Sequence, residues 1–125
     1  PGSFYTSLIA NLLPDGVSEA IASNACPKVY IPNLGQDPEQ IGMTMDSSIK
    51  ILLRYLRAST GQEHETAQLL NYILFDSRCE SHLSPVSAEL LCELGVQLID
   101  TKLVSRPGAA FYDPELLVSA LLSLT

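Results

Sequence analysis

Gly2, Ser3, Thr6 and Ser7 gather in the stretch "GSFYTS", immediately ahead of an apolar, helix-like run. Glycine lets a ligand approach the backbone. Hydroxyls beside the unpaired N–H groups of a helix start can hold a phosphate or similar anion. Small residues with a Ser or Thr cap serve equally well to begin a helix, and composition leaves both readings open. A second segment, "YIPNLGQDPEQIGMT" over 30–44, carries the chain from a strand end at Asn33 through a Gly/Pro/acidic loop. Asn33 can read the amide or hydroxyl edge of a ligand, or simply stabilise a turn. Asp37, Glu39 and Asp46 are hard oxygen donors of the kind that Mg2+ takes together with phosphate oxygens; the alternative is solvated loop acids.

Other reactive residues are sparser. His64 and His82 stand far apart in polar stretches, with no Cys or Asp at the spacing of a metal site or an activated nucleophile. Both are expected on the surface, and no metal centre is assigned. Asp76 closes a strand-like run where acid–base groups often stand. Arg78 and Arg106 follow such runs and could reach a phosphate, although exposed loop arginines are commoner.

These candidates need elements to position them. "KVYIPN" (28–33), "NYILFDS" (71–77) and "VQLIDTKLV" (96–104) are rich in branched and aromatic residues, and the first two read as strands covered on both faces. Between them lie helical patterns. The stretch 6–24 is a helix broken by Pro14-Asp15-Gly16, and 44–58 is an amphipathic helix capped near Thr44 or Asp46. That second helix buries Ile49, Leu52, Leu53 and Leu56 and turns Lys50, Arg54 and Arg57 outward. "SPVSAELLCELG" predicts a helix with Ser84 as cap, Pro85 first and Gly95 just past its end. "YDPELLVSALLSL" repeats this grammar with Asp113 and Pro114, and Leu116, Leu117, Ala120, Leu121 and Leu124 form its buried stripe. The polar stretch 57–68 reads as a surface loop.

Helices alternating with strands imply parallel strands joined by crossovers. The fold class is α/β, a Rossmann-like three-layer fragment with a small parallel sheet flanked by helices. Pro1-Gly2 would end a further strand that the chain lacks, so an open strand edge or an intermolecular contact is expected there.

Composition limits the functions. The chain has 125 residues, enough for one domain, with 46% hydrophobic and 17% charged residues and a net charge of −7. Its seven Lys and Arg stand singly along the chain, whereas a phosphate backbone needs clustered cations, so nucleic acid is not an expected partner. No apolar run reaches the ~18–20 residues that span a bilayer, and no secretory leader pattern is visible, so no membrane is expected as partner. Cys26, Cys79 and Cys92 form no CxxC and fit free, mostly buried thiols in a reducing cytoplasm.

"PGSFYTSLIANLLPDGVSEAIA" resembles the GPGSxYTSxxPNLLxxGIxxAI signature of the CofD/YvcK-like family, without its first glycine. "KVYIPNLGQDPEQIGMT" is similar to that family's KVYxxNxxTQPGETDGxT segment, and "GVQLIDTKLV" with "YDPELLVSALLSL" to its closing strand and helix. The likeness is nearest to the gluconeogenesis-factor branch. It implies that residues 1–125 are the C-terminal portion of one larger α/β domain whose glycine-rich N-terminal half is missing here. The expected partner is a nucleotide-type small molecule, with homo-oligomerisation or contact with that missing half. Carried over by position, Gly2, Ser3, Tyr5, Thr6 and Ser7 form one binding loop, with Asn33 and Thr44 across the crevice.

The resemblance implies two activities. One is binding of UDP-sugars by a regulator of central carbon metabolism or cell-wall growth. The other is transfer of a phospholactyl group from a guanosine diphosphate donor with Mg2+. A third expectation is an inactive structural fragment of either. Ile41 stands where the family's segment has an aspartate, which weakens the metal-dependent transferase and favours binding. The 125 residues alone are expected to bind nucleotides weakly or not at all.

Overall fold

The computed structural model describes residues 2–58, 63–79 and 83–125. A π-helix, Phe4–Ile9, runs straight into an α-helical turn, Ala10–Leu12, and the two together form α1. The chain then turns at Gly16, whose φ of 85° lies in the left-handed region that glycine occupies without strain. Beyond the turn come α2 (Val17–Ser23), β1 (Val29–Tyr30) and a 3-10 turn at Pro38–Gln40. Helix α3 (Met45–Ala58), α4 (Thr66–Leu69) and β2 (Tyr72–Phe75) follow, and α5 (Ala88–Leu94), β3 (Gln97–Asp100) and α6 (Pro114–Leu122) complete the order.

The three strands form one parallel sheet in the order β1-β2-β3, with Tyr30 beside Ile73 and Ile73 beside Leu98. The α/β, Rossmann-like reading of the sequence therefore holds. One hydrophobic cluster joins residues of α1 to α5 with Tyr30 and Ile73 of the sheet. Leu74 follows Ile73 and so points to the opposite face. It is buried outside that cluster, as are Leu103 and Val104.

Several local expectations need correction. Strand β1 is two residues long rather than six: Pro32 has no N–H to continue a ladder, so the chain leaves the sheet early. Strand β3 is short as well, and three of its four residues are exposed. Helix α5 begins three residues later than expected. Ser87, not Ser84, is its cap, with Oγ accepting from Leu90 N–H, while Gly95 does end the helix, at φ 66°. The polar stretch 57–68 contains the end of α3 and the short helix α4, which carries a capping box between Glu65 and Gln68. Residues 59–62 of that stretch lie outside the described residues.

Helix α6 starts at Asp113 and Pro114 as read, but none of its residues is buried, because little of the fold lies over it. Leu116, Leu117, Ala120, Leu121 and Leu124 are only half-buried. The thiols are free, yet none is buried: Cys26 and Cys92 are exposed and Cys79 is half-buried. His64 is not a surface residue. Its side chain is 8% exposed, with Nε2 3.0 Å from Glu19 Oε2 on α2. His82 lies outside the described residues.

Among the described residues no strand pairs with the outer edge of β1, in keeping with the open edge expected from the sequence. Lys28 C=O accepts from Tyr72 N–H at 3.1 Å, so in a parallel ladder the N–H and C=O groups of Val29 point away from β2. The same alternation turns Ile31 outward. In amide exchange on the isolated chain, Val29 and Ile31 are expected to exchange near the unprotected rate, well before the β2 amides of Ile73 and Leu74. Equal protection across both strands would mean that the edge is covered.

Candidate functional site

The N-terminus of α1 and the 33–44 loop meet beside the carboxyl end of β1, where ligands bind in open α/β sheets. The free N–H groups at the start of α1 are already taken. Phe4 N–H donates to Asp37 Oδ2 at 2.6 Å, and Tyr5 and Thr6 N–H donate to Glu39 Oε2 at 2.6 and 3.0 Å. Asp37 Oδ1 also accepts from Glu39 N–H at 3.0 Å, capping the 3-10 turn. Two carboxylates from the second loop therefore occupy the positive end of α1, the position the sequence offered to an anion.

Asn33 ties the loops together. Its Nδ2 donates to Gly2 C=O at 3.1 Å and lies 3.4 Å from Asp37 Oδ2. Gly2 is sterically required: a Cβ there would fall 1.9 Å from Ser7 Oγ and 2.1 Å from Ser7 Cβ. Any side chain would push the loop off Ser7.

Three hollows border Asn33. An open groove of about 330 Å3 is lined by Gly2, Ser3, Ser7 and Asn33 together with Val29, Tyr30 and Ile31. A cavity of about 110 Å3 lies on the other side, among Asn33, Gln36, Asp37, Gln40, Ile41 and Gly42. A third, of about 10 Å3, is lined by Asp76, Cys79 and Tyr112 as well. Gly2, Ser3, Ser7 and Asn33 thus come together at one groove. Tyr5 is half-buried and meets the Phe4 ring edge-on, with centroids 5.1 Å apart, while Thr6 is exposed over Glu39.

Thr44 has a different task. Its Oγ1 accepts from Ser47 N–H at 3.1 Å, and Ser47 Oγ accepts from Thr44 N–H at 2.9 Å, so it caps α3. Tyr30 backs the groove, and burial pushes its phenol up to about 12, against the lowering effect of a hydrogen bond with Gln40.

The acids do not fit a Mg2+ site. Asp37 and Glu39 serve the α1 backbone, and Asp46 accepts from Ser87 N–H at 2.8 Å and Ser87 Oγ at 2.5 Å. Those two bonds from Ser87 hold the Asp46 carboxyl below the usual range. Among the described residues, no three His, Cys, Asp or Glu side chains gather as a metal would need. Ile41 is 71% exposed at the lip of the smaller cavity, so an aspartate there would be free to coordinate, and isoleucine cannot.

A second polar node stands at the end of β2. Asp76 is 3% exposed; its Oδ2 accepts from Leu103 N–H at 2.8 Å, and its Oδ1 accepts from Arg78 N–H at 3.1 Å and Arg78 Nε at 2.7 Å. Burial raises the Asp76 carboxyl, but these donors outweigh it and the net shift is downward. Cys79 beside it is pushed up by burial and by the Asp76 charge. Arg78 is therefore paired with Asp76 through its backbone N–H and Nε, while much of its side chain stays exposed. Tyr112, whose OH donates to Pro32 C=O, links the segment after β3 back to the 33–44 loop.

Sequence reasoning missed the capping of α1 by the second loop. The "DPE" at 37–39 signals only the local 3-10 cap, because the reach to Phe4 and Tyr5 crosses more than thirty residues.

Comparisons with known proteins bear on the same segments. A relative in Thermotoga maritima named "Putative gluconeogenesis factor" is 43% identical over 60 residues, covering 47% of this chain and 19% of the relative. Relatives of that name in Nostoc sp. and Thermoanaerobacterium thermosulfurigenes are 26% and 30% identical over 98% and 99% of this chain. The chain spans only 28% and 40% of their lengths. No solved structure matches it significantly. A family model described as 2-phospho-L-lactate transferase CofD matches residues 1–104, which include both loops and all three strands. The chain therefore belongs to the CofD family.

Proposed function

We propose that the longer protein of which this chain forms part binds a nucleotide-type small molecule, of the UDP-sugar kind, and acts as a gluconeogenesis-factor-type regulator of central carbon metabolism or cell-wall growth. The names of the relatives support the role. The observation that carries the binding reading is Asn33, whose amide joins the Gly2 carbonyl to the second loop at the mouth of an open groove. On this reading Gly2, Ser3 and Ser7 present backbone and hydroxyl groups to the ligand, and Asn33 reads a polar edge. Tyr5 and Thr6 approach it only if Glu39 releases their N–H groups. Thr44 acts through the start of α3. The protein works in the cytoplasm, with the groove wall opposite β1 supplied by the rest of the polypeptide or by a second copy.

The phospholactate-type transferase is the second reading, favoured by the description of the matching family model. Of the acids in this chain read as Mg2+ ligands, Asp37 and Glu39 accept from the α1 backbone and Asp46 from Ser87, which favours it less.

Titration of the full-length protein with UDP-glucose, followed by thermal shift, is the test. The Asn33→Ala variant is expected to weaken binding roughly tenfold, the size of losing one or two hydrogen bonds. No shift with any UDP-sugar would refute the binding reading. Turnover of a guanosine diphosphate donor would favour the transferase.

A further inference from the structure

Three of the seven Lys and Arg share one helix face. Lys50, Arg54 and Arg57 stand at i, i+4 and i+7 on α3, one stripe about 10 Å long at 1.5 Å per residue. Together with α5 this stripe borders an open groove of about 550 Å3. The same groove is lined by the apolar Leu53, Ala58, Leu90 and Leu94, and among the described residues Glu93 is its one acid. Three of seven cations thus border one concavity of a chain whose net charge is −7.

We propose that the α3–α5 groove is a docking site for an acidic amphipathic helix of a protein partner. The groove lies between two helices, which suits the helix-in-groove mode of recognition: the exposed Ala58 and half-buried Leu94 offer the apolar contact above the buried Leu53 and Leu90. Charge complementarity sets the sign of the partner. Carboxylates spaced three or four residues apart face Lys50, Arg54 and Arg57, and basic partners are repelled.

Arg54 lies over the Tyr55 ring, 5.5 Å from its centroid, and Arg57 donates to Thr66 Oγ1 at 2.7 Å. A nucleic acid strand is the less suitable occupant, because the apolar residues offer no aromatic surface for base stacking. This surface belongs to α3 and α5 and does not depend on the ligand reading of the loops around Asn33.

The test uses the full-length protein and a fluorescein-labelled helical peptide with Leu at i, i+3, i+4 and i+7 and Glu on both flanks of that stripe. A Glu→Gln twin and a Glu→Lys twin complete the set, and a labelled single-stranded oligonucleotide is measured alongside. The acidic peptide is expected to bind best, and more weakly as salt rises. Lys50→Glu with Arg54→Glu should lower its affinity roughly tenfold or more, as reversing close interfacial charges does. Glu93→Gln should raise it severalfold while the thermal melt stays unchanged. Equal binding of the three peptides, or indifference to the charge reversal, would overturn the proposal. So would oligonucleotide binding that exceeds peptide binding and is lost on the same reversal.

Discussion

Replacing Asp76 with alanine is expected to lower stability by about 3 kcal/mol and the melting temperature by roughly 10 °C or more. The carboxylate is buried and faces only donors: Leu103 N–H, Arg78 N–H and Arg78 Nε. Alanine leaves the N–H of Leu103, a fully buried residue, without a partner, and this is the larger part of the loss. The Arg78 side chain is 55% exposed, so water recovers most of its share. Asparagine is no conservative substitute here, since one end of its amide would be a donor facing donors. A melting temperature unchanged in Asp76→Ala would show that the network carries no load.

The same residue shapes the acid side of the stability curve. The folded Asp76 carboxyl titrates below its unfolded value, so its stabilisation is complete above the ordinary carboxylate range and fades as pH falls through the folded value. Asp46 and Asp100 shift in the same direction, through hydrogen bonds from Ser87 and Ser77 respectively. Wild-type protein is therefore expected to lose stability steeply below about pH 4, and Asp76→Ala more gradually. Parallel curves in denaturant midpoint against pH would contradict this.

The second large effect belongs to Asp37. Asp37→Ala is expected to cost about 2–3 kcal/mol, because Phe4, 2% exposed, loses the acceptor of its N–H at 2.6 Å and the 3-10 turn loses its cap. Asp37→Asn keeps an oxygen for Phe4 but turns its NH2 toward the Glu39 N–H, and is expected to cost less than alanine, about 1–2 kcal/mol. Urea unfolding reads both: the midpoint should fall while the slope holds, since the surface exposed on unfolding is unchanged. An alanine variant as stable as asparagine would mean that Phe4 N–H has found another partner.

Local chemistry made much of this protein legible from sequence. Helix α3 followed from its apolar spacing, α6 from Asp113-Pro114, the end of α5 from Gly95, and the broken helix from Pro14-Asp15-Gly16. Each of these depends on residues within one or two turns of one another. The three parallel strands were visible for the same reason, as branched runs bounded by turns and separated by helices.

What the sequence could not carry was every arrangement made between distant residues. It offered Ser3, Thr6 and the start of α1 to an anion, while only the folded chain brings Asp37 and Glu39 across to those N–H groups. It left Arg78 as an exposed loop residue that could reach a phosphate, and the packing pairs it with Asp76; it placed His64 on the surface and α2 covers it. It read a buried stripe on α6, yet burial needs a neighbour as well as a pattern. Short-range torsional and capping preferences act along the chain, so sequence alone determined where most helices and strands lie. Hydrogen-bond partnership and solvent exclusion act across it, so only the tertiary structure decided which charges are spent and which groove stays open.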